Sequence, residues 1–320
     1  MLSYVAKRLA LAIAVLVVIA FLLIALVMVV PGDPARTVLG THATPELMRQ
    51  VRQTMGLDQP VWEQTWNFVW GALHGDLGTD FITRAPVRDE LGRPFVNTLV
   101  LSLASMILAA AIGIPAGVVS AVNSGGVVDR IVRAVSMVLL STPVYVVGLV
   151  LLLVLSVHFH WLPSLGGGSF SDPLDYAQRL LMPAFALAVY WIAYLARLVR
   201  SSMLEVLEQD YVRTSRAYGV SEATINFRVA LRNALVPIVA LLGLMLGYTL
   251  AGTVYVEQIF GRVGLGSLAL SSIGNRDWPV VRGVVLIYAL AFVLGSLLAD
   301  VAYRVLDPRL RVEQDAGVFA

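Results

Sequence analysis

Six stretches of this chain run without a charged residue for about the length of a bilayer crossing: 9–30, 98–122, 134–157, 180–196, 234–256 and 283–299. A hydrocarbon core about 30 Å thick takes roughly 20 apolar residues as a helix. In lipid every backbone N–H and C=O needs a partner inside the protein, which leaves only helices and closed barrels. Runs this long and this evenly apolar select helices. The pattern predicts an all-α integral membrane protein with six transmembrane helices.

Composition agrees. Of 320 residues, 58% are apolar and 14% charged, with a mean hydropathy of +0.80; an ordinary soluble domain is about 25% charged. The absence of cysteine excludes disulfide frameworks, thiolate metal sites and cysteine nucleophiles. The first run follows Lys7 and Arg8 as a signal peptide would, but its 22 residues exceed the signal core of about 7–15. It ends in Val29-Val30-Pro31-Gly32-Asp33 instead of a small-x-small cleavage site, so it reads as a retained span.

The arginines predict the orientation. The segment 31–96 is too long for its six arginines to count toward the positive-inside rule. The remaining cations divide thirteen to four. The richer side holds Lys7, Arg8, Arg130, Arg133, Arg197, Arg200, Arg213, Arg216, Arg228, Arg232, Arg304, Arg309 and Arg311; the poorer holds Arg179, Arg262, Arg276 and Arg282. Both termini are therefore expected in the cytoplasm. The basic residues are topogenic, and a net charge of +2 gives no case for nucleic acid. The chain then divides into a cytoplasmic N-terminus with the first span (1–30), an extracytoplasmic, partly helical loop (31–96), a five-helix core (97–303) containing a cytoplasmic loop (201–233), and a cytoplasmic tail (304–320).

The outer loop is patterned. Thr44-Pro45-Glu46 has the hydroxyl, the proline and the acid of a helix start; Gly56 ends that helix and Pro60 opens another. Trp62, Trp66 and Trp70 share one face of the second helix. Such a stripe suits the membrane interface, a docking partner outside, or both. Leu165-Gly166-Gly167-Gly168-Ser169 reads as a flexible tip, either a connector or a probe of a partner's cleft.

The cytoplasmic stretch 201–234 is longer than a connector needs. Leu204, Leu207, Tyr211 and Tyr218 follow helical spacing, with Thr214 in the gap. Gly219 stops that helix, and Ser221 caps the next with Glu222 in its first turn. Arg228 and Arg232, four apart, face one way. The prediction is a helix–turn–helix knob projecting from the membrane.

Here the sequence resembles a known family. Asp210-Tyr211-Val212-Arg213-Thr214, Gly219 and Leu231-Arg232-Asn233-Ala234-Leu235-Val236-Pro237 are similar to the coupling loop of ABC importer permeases. Nearly the whole chain follows the B-type subunit of dipeptide, oligopeptide and nickel importers. Pro31-Gly32-Asp33-Pro34, Met55-Gly56-Leu57-Asp58, His74-Gly75-Asp76-Leu77-Gly78, Asn97-Thr98-Leu99, Ser141-Thr142-Pro143, Gly264-Leu265-Gly266 and Leu306-Asp307-Pro308-Arg309 occur in that order. The general motif opens Glu-Ala-Ala and closes Ile-x-Leu-Pro; here those positions are Arg213-Thr214-Ser215 and Val229-Ala230-Leu231-Arg232, while the glycine and its spacing are kept.

The resemblance implies a type I ABC importer permease fold and a non-catalytic subunit. Its partners would be a second permease, of a different, C-type chain, two cytoplasmic ATPase domains and an external binding protein, with membrane lipid around it. No cofactor is implied for this chain; ATP and Mg would be used by the ATPases. The implied coupling residues are Asp210, Tyr211, Val212, Arg213, Thr214, Ser215, Arg216, Tyr218, Gly219, Arg228, Val229 and Arg232. Tyr211, Val212, Tyr218 and Val229 would fill the ATPase groove, and Arg213, Arg216, Arg228 and Arg232 would meet its acidic rim. Topogenesis and lipid headgroups are the other reading of those arginines.

Within the spans, Gly243, Gly247 and Ala251 form a small-residue face suited to close helix packing. Pro115, Pro143, Pro183 and Pro237 would kink helices and free carbonyls. Ser136, Ser141, Thr142, Tyr190, Tyr194, Tyr248, Thr249 and Thr253 are candidates to line a translocation path, or to bond between helices. A neutral path suits di- and oligopeptides; nickel or glutathione are alternative cargoes for the same machinery. No phosphate-binding loop exists, because Lys7 is the only lysine and follows alanine. The spans offer no paired aspartates and no His-Glu-x-x-His, which disfavours an intramembrane enzyme. An ion-coupled secondary transporter would place ionisable groups mid-span, whereas Glu257 and Asp300 lie at span ends.

Overall fold

The computed structural model describes residues 2–29, 34–39, 43–54 and 56–306. They are helical apart from loops and one antiparallel bridge between Thr79 and Pro86. The helices are α1 (Leu2–Val29), α2 (Pro34–Leu39), α3 (Pro45–Thr54), α4 (Val61–Leu73), α5 (Val87–Val122), α6 (Val127–Ser141) and α7 (Val144–Leu151). They continue with α8 (Pro173–Leu207), α9 (Asp210–Ala217), α10 (Glu222–Thr224), α11 (Leu231–Ala234), α12 (Val236–Ile259), α13 (Leu265–Gly274) and α14 (Trp278–Leu306). Two π-helical turns, Leu152–His158 and Ile225–Ala230, follow α7 and α10.

Four helices are long and apolar enough to cross a bilayer: Ala10–Val29, Val87–Val122, Pro173–Leu207 and Trp278–Ala299. The third and fifth expected spans are not straight. Val127–Ser141 meets Val144–His158 at 103°, and Glu222–Val239 meets Gly243–Ile259 at 58°, so the total reaches six if each bent pair is one span. The first bend has a local cause. Thr142 precedes Pro143, whose ring drives it out of helical geometry, and both residues are extended.

The chain divides into two compact units. In the first, Met1–Thr98 with Val263–Val293, α1 packs on α4 and a core forms from Val87, Leu91, Leu265, Val280 and Val284. The starts of α5 and α14 approach closely at Gly283, where an added Cβ would lie 2.9 Å from Val87 Cγ1. Thr44 Oγ1 accepts the Leu47 N–H at 3.4 Å, and Gly56 takes φ +65°, as the sequence predicts for the two ends of α3. Asn97 Nδ2 donates to the Val263 carbonyl at 2.8 Å and Thr98 Oγ1 accepts the Leu265 N–H at 2.8 Å, which gives the Asn97-Thr98 pair a structural task.

In the second unit, Leu99–Arg262 with Leu294–Ala320, α8 is the hub on which α6, α7 and α12 pack, and α5 approaches it at two glycines. A Cβ on Gly113 would fall 2.7 Å from the Ile192 carbonyl oxygen, and one on Gly117 2.6 Å from Val199 Cβ. These two glycines four apart make a tight small-residue contact. Gly243 makes another, its added Cβ lying 2.7 Å from Ser296 Cα of α14, but Ala251 is exposed. Of the expected Gly243–Gly247–Ala251 face, Gly243 makes its close approach within this chain and Ala251 is left on the outside. Pro183 inside α8 cannot donate to the Arg179 carbonyl one turn back, and Arg262 Nη1 supplies that hydrogen bond at 3.2 Å.

At the start of α6 a fully buried carboxylate ties three helices. Asp129 accepts Arg200 Nε at 2.6 Å, Arg200 Nη2 at 2.9 Å, Ser120 Oγ at 2.6 Å and the Gly125 N–H at 3.0 Å. Arg133 Nε lies 3.5 Å away. Arg130, Arg133 and Arg200 were expected only as orienting cations; Arg200 is also a packing element.

Candidate functional site

Two features of the second unit gather the residues expected to function: a cavity beside the α6–α7 break and the knob between α8 and α12. The cavity, of about 470 Å³, is lined by Leu140, Ser141, Thr142, Pro143, Val144 and Val147, by Ala186, Leu187, Val189, Tyr190 and Trp191 of α8, and by Tyr248, Thr249 and Gly252 of α12. The bend at Pro143 turns α6 away and opens the space. Ser141 and Thr142 back-bond to the carbonyls of Met137 and Val138 at 3.0 and 2.8 Å, satisfying groups at the broken helix end. Their oxygens remain acceptors on the wall. Thr249 Oγ1 is buried with no hydrogen-bond partner in the structure, so the wall also has a hydroxyl able to donate.

An aromatic tier completes the lining. Tyr190 stands edge-on to Trp191, with ring centroids 5.3 Å apart, and Trp191 meets Tyr248 at 6.3 Å. The walls carry no Asp, Glu, Lys, Arg or His. Such a surface offers amide-compatible hydroxyls and ring faces and discriminates weakly by charge.

Of the polar residues nominated from the sequence, Ser141, Thr142, Tyr190, Tyr248 and Thr249 line the cavity. Ser136 is buried elsewhere, Tyr194 stacks against Tyr190 at 6.3 Å without joining the lining, and Thr253 is buried with its hydroxyl on the Leu250 carbonyl. Trp191 was missed because it directly follows Tyr190, about 100° further round the helix, outside the i, i+4 pattern of the two tyrosines.

The knob departs from the predicted single helix through 204–218. Gln209 is extended, so α8 ends at Leu207 and α9 starts afresh at Asp210, an acid at a helix N-terminus. After α9 the Val220 N–H bonds the Ser215 carbonyl at 3.2 Å and the Gly219 N–H that of Arg216 at 2.9 Å, with Gly219 at φ +80°. This paired closure is the Schellman motif, in which glycine alone avoids steric cost. Ser221 caps α10 through the Thr224 N–H at 3.4 Å.

The knob's exposed apolar groups are Tyr211, Tyr218 (84% exposed), Val220 and Phe227 (61%). Val212, expected on a partner, is fully buried and anchors α9; Val229 is half-buried. Phe227 was missed because the π turn shifts the phase of side chains beyond Thr224. Arg216 is also engaged inside the knob. Its Nε donates to Glu222 Oε1 at 2.8 Å, bracing the turn around Gly219 and holding the Glu222 carboxyl below its usual pKa. Arg213 lies 3.6 Å from Asp210, and Arg228 and Arg232 are exposed. Asp210, Thr214 and Ser215 complete α9, the two hydroxyls bonding back to the Asp210 and Tyr211 carbonyls. Among the described residues no three His, Asp or Glu side chains converge as a metal site.

A family model described as the binding-protein-dependent transport system inner membrane component matches residues 113–312, and one for the N-terminal part of such membrane components matches residues 1–104. The chain belongs to this family. It is a multi-pass inner-membrane permease subunit of an ABC importer. The permease is 38% identical over 311 residues to the glutathione transport system permease protein GsiC of Escherichia coli, covering 97% of this chain and 99% of that one. The same protein of Shigella dysenteriae matches equally. Among solved structures, an inward-facing conformation of the MetNI methionine ABC transporter matches with a TM-score of 0.55 and 22% identity, covering 67% of the permease and 95% of that chain. That likeness speaks for the fold.

Proposed function

We propose that this permease forms half of the translocation path of an ATP-driven importer for short peptides, glutathione-like tripeptides included. The observation that supports it most is the uncharged cavity of hydroxyls and aromatic rings around Tyr190, Trp191, Tyr248 and Thr249. A peptide presents amides and side chains of every kind, and a wall without fixed charge passes them without trapping any. Nickel would meet no ligand set there, so the path disfavours it. Glutathione is favoured among short peptides because the similar permeases belong to glutathione transport systems.

In this reading the bent pairs are single spans, which gives six, with both termini cytoplasmic. The 31–96 segment and the 165–169 tip face outward, where a binding protein delivers solute. The knob docks on one of two ATPases, which alone bind ATP and Mg, with Tyr218 and Phe227 entering the groove and Arg228 and Arg232 on the rim. A distinct permease supplies the other half of the path. Nucleotide-driven closure of the ATPases then shifts a two-state set of helices.

The test is reconstitution with the chains that co-purify. ATP-dependent uptake of glutathione or a dipeptide, requiring the binding protein, is expected. Uptake driven by an ion gradient with the ATPases removed would overturn the reading in favour of a secondary transporter.

A further inference from the structure

A second cavity, of about 430 Å³, lies in the first unit and is lined quite differently from the path. Gln59, Gln64, Asn67, Asp76, Arg84 and Arg282 supply its polar groups. The amides are held in place: Gln64 Nε2 donates to the Gln59 carbonyl at 2.9 Å and Asn67 Nδ2 to Gln59 Oε1 at 3.2 Å. Arg282 is the anomaly. Its Nε is sealed from solvent and has no hydrogen-bond partner. A buried donor left unmade costs about 1–3 kcal/mol, and more when charged. The residue as a whole is only partly buried and lines the cavity, so the rest of its guanidinium is placed to meet an acceptor there.

Arg84 also lines the cavity, carried there by a left-handed backbone at φ 62°. The tight hairpin enforces that conformation: the Arg84 N–H bonds the Asp80 carbonyl at 3.2 Å, while Asp80 Oδ1 takes the N–H groups of Ile82 and Thr83 at 2.5 and 2.7 Å. Backbone strain of this kind persists where the surroundings over-determine it, and it collects at functional sites. Asp76 completes the set; its Oδ1 accepts the Gly78 N–H at 2.9 Å, and the carboxylate has a second oxygen for a ligand.

Two guanidinium groups and one carboxylate match the charges of an amino acid with its termini free. We propose that this cavity binds a small zwitterion of the amino-acid or dipeptide class, its carboxylate on Arg84 and Arg282 and its ammonium on Asp76. Arginine forks hold carboxylates by paired, charge-assisted bonds. The volume falls within the roughly 300–1,000 Å³ of small-molecule sites and far exceeds what one acidic side chain of a docked protein fills. The inference depends on the proposed function only for orientation, which opens the cavity to the outside. It adds to the path a separate, charge-selective site.

The full-length permease in nanodiscs, titrated calorimetrically with alanylalanine, its C-terminal amide and its N-acetyl form, tests this. Alanylalanine is expected to bind at least tenfold more tightly than either capped form. Arg84→Gln and Arg282→Gln should each weaken alanylalanine at least tenfold, with Arg88→Gln, exposed and outside both cavities, unchanged. Arg84 is exposed, so its variant carries the test if Arg282→Gln disturbs α14. Asp76→Asn should weaken alanylalanine but not its N-acetyl form. Equal binding of dipeptide and amide, or an unaffected Arg84→Gln, overturns the site. Loss with Tyr248→Ala alone would move the ligand to the path, refuting this inference while leaving the importer reading intact. Absence of dipeptide binding refutes it too; if Arg84→Gln then abolished capture of the external binding protein, the cavity would belong to an acidic side chain of that protein. Tenfold discrimination with no ATP-driven import would leave this site standing and remove the other proposal.

Discussion

Replacing Arg200 with methionine would strand a carboxylate. Asp129 is fully buried, and Arg200 gives it two of its hydrogen bonds, at 2.6 and 2.9 Å. Ser120 and Gly125 would remain, and Arg133 Nε at 3.5 Å would offset part of the lost charge. Removing one partner of a buried pair costs about 3–5 kcal/mol, and Arg133 places the expected loss near the lower end, about 3 kcal/mol. The pair lies in the unit Leu99–Arg262 with Leu294–Ala320. Units of 150–250 residues lose roughly 2–4 °C per kcal/mol, so the melting midpoint of that unit in the detergent-solubilised permease should fall by roughly 6–12 °C. Asp129→Asn keeps the shape and removes the charge, leaving a part-exposed Arg200 that water can solvate, and should cost about 1–2 kcal/mol. The double variant Asp129→Leu with Arg200→Met should recover most of the loss, since apolar replacement of both partners is commonly neutral. An Arg200→Met midpoint within 2 °C of the parent (about 1 kcal/mol or less) would refute the reasoning, as would a double variant worse than the single.

Gly219→Asp should insert and express normally yet uncouple ATP hydrolysis from uptake, because φ +80° is strained for any side chain while nothing lies within 4 Å to clash; transport equal to the parent would remove the knob's role. Gly117→Leu should lower stability by about 2 kcal/mol, since even its Cβ would sit 2.6 Å from that of Val199; a thermal scan showing no change would mean α5 and α8 are not in contact there. Asp277 is held up at about 7, first by burial and then by the Asp80 carboxyl beside it. Between its ordinary 3.8 and about 7, the folded chain keeps a proton that the unfolded chain has lost, so this group's stabilisation is full below 3.8 and fades as pH rises through 7. Asp277→Asn should flatten that decline in a melting series from pH 4 to 8, and an unchanged slope would exclude the assignment.

What the sequence disclosed and what it hid divide along a physical line. Charge-free runs, the Thr44 and Ser221 caps and the Gly219 turn are local, and each appears where its chemistry requires. The bends are not local in the same way. Ser141-Thr142-Pro143 announces a break, but 103° between α6 and α7 depends on what each half packs against. Phe227 was missed because a π turn changes the phase of the side chains, which periodicity counted at 3.6 residues cannot register, and Val212, which the resemblance places on a partner, is buried instead. Asp129 and Arg200 are 71 positions apart, and single-sequence reading has no means of pairing them.

On the proposed coupling role, α8 is the element that makes the knob and the cavity one device. It runs unbroken from Pro173 to Leu207, and Tyr190 and Trp191 on it wall the cavity while its end carries the knob. At about 1.5 Å per residue, the stretch from Trp191 to Leu207 is a lever of roughly 24 Å. A lever transmits only if it does not bend. The weak point introduced by Pro183 lies beyond the cavity, on the side away from the knob, and its freed carbonyl is taken by Arg262. On the knob's side, Gly113 and Gly117 bring α5 against Ile192 and Val199, and Asp129 clamps Arg200 to α6. The contacts at Gly113, Gly117 and Asp129 therefore lie between the cavity and the knob. The helix breaks at Pro143 and Gln209 fall at one wall of the cavity and at the attachment of the knob. A displacement of the knob by an ATPase then reaches the Tyr190–Trp191 wall as a rigid-body movement, which a bistable gate requires.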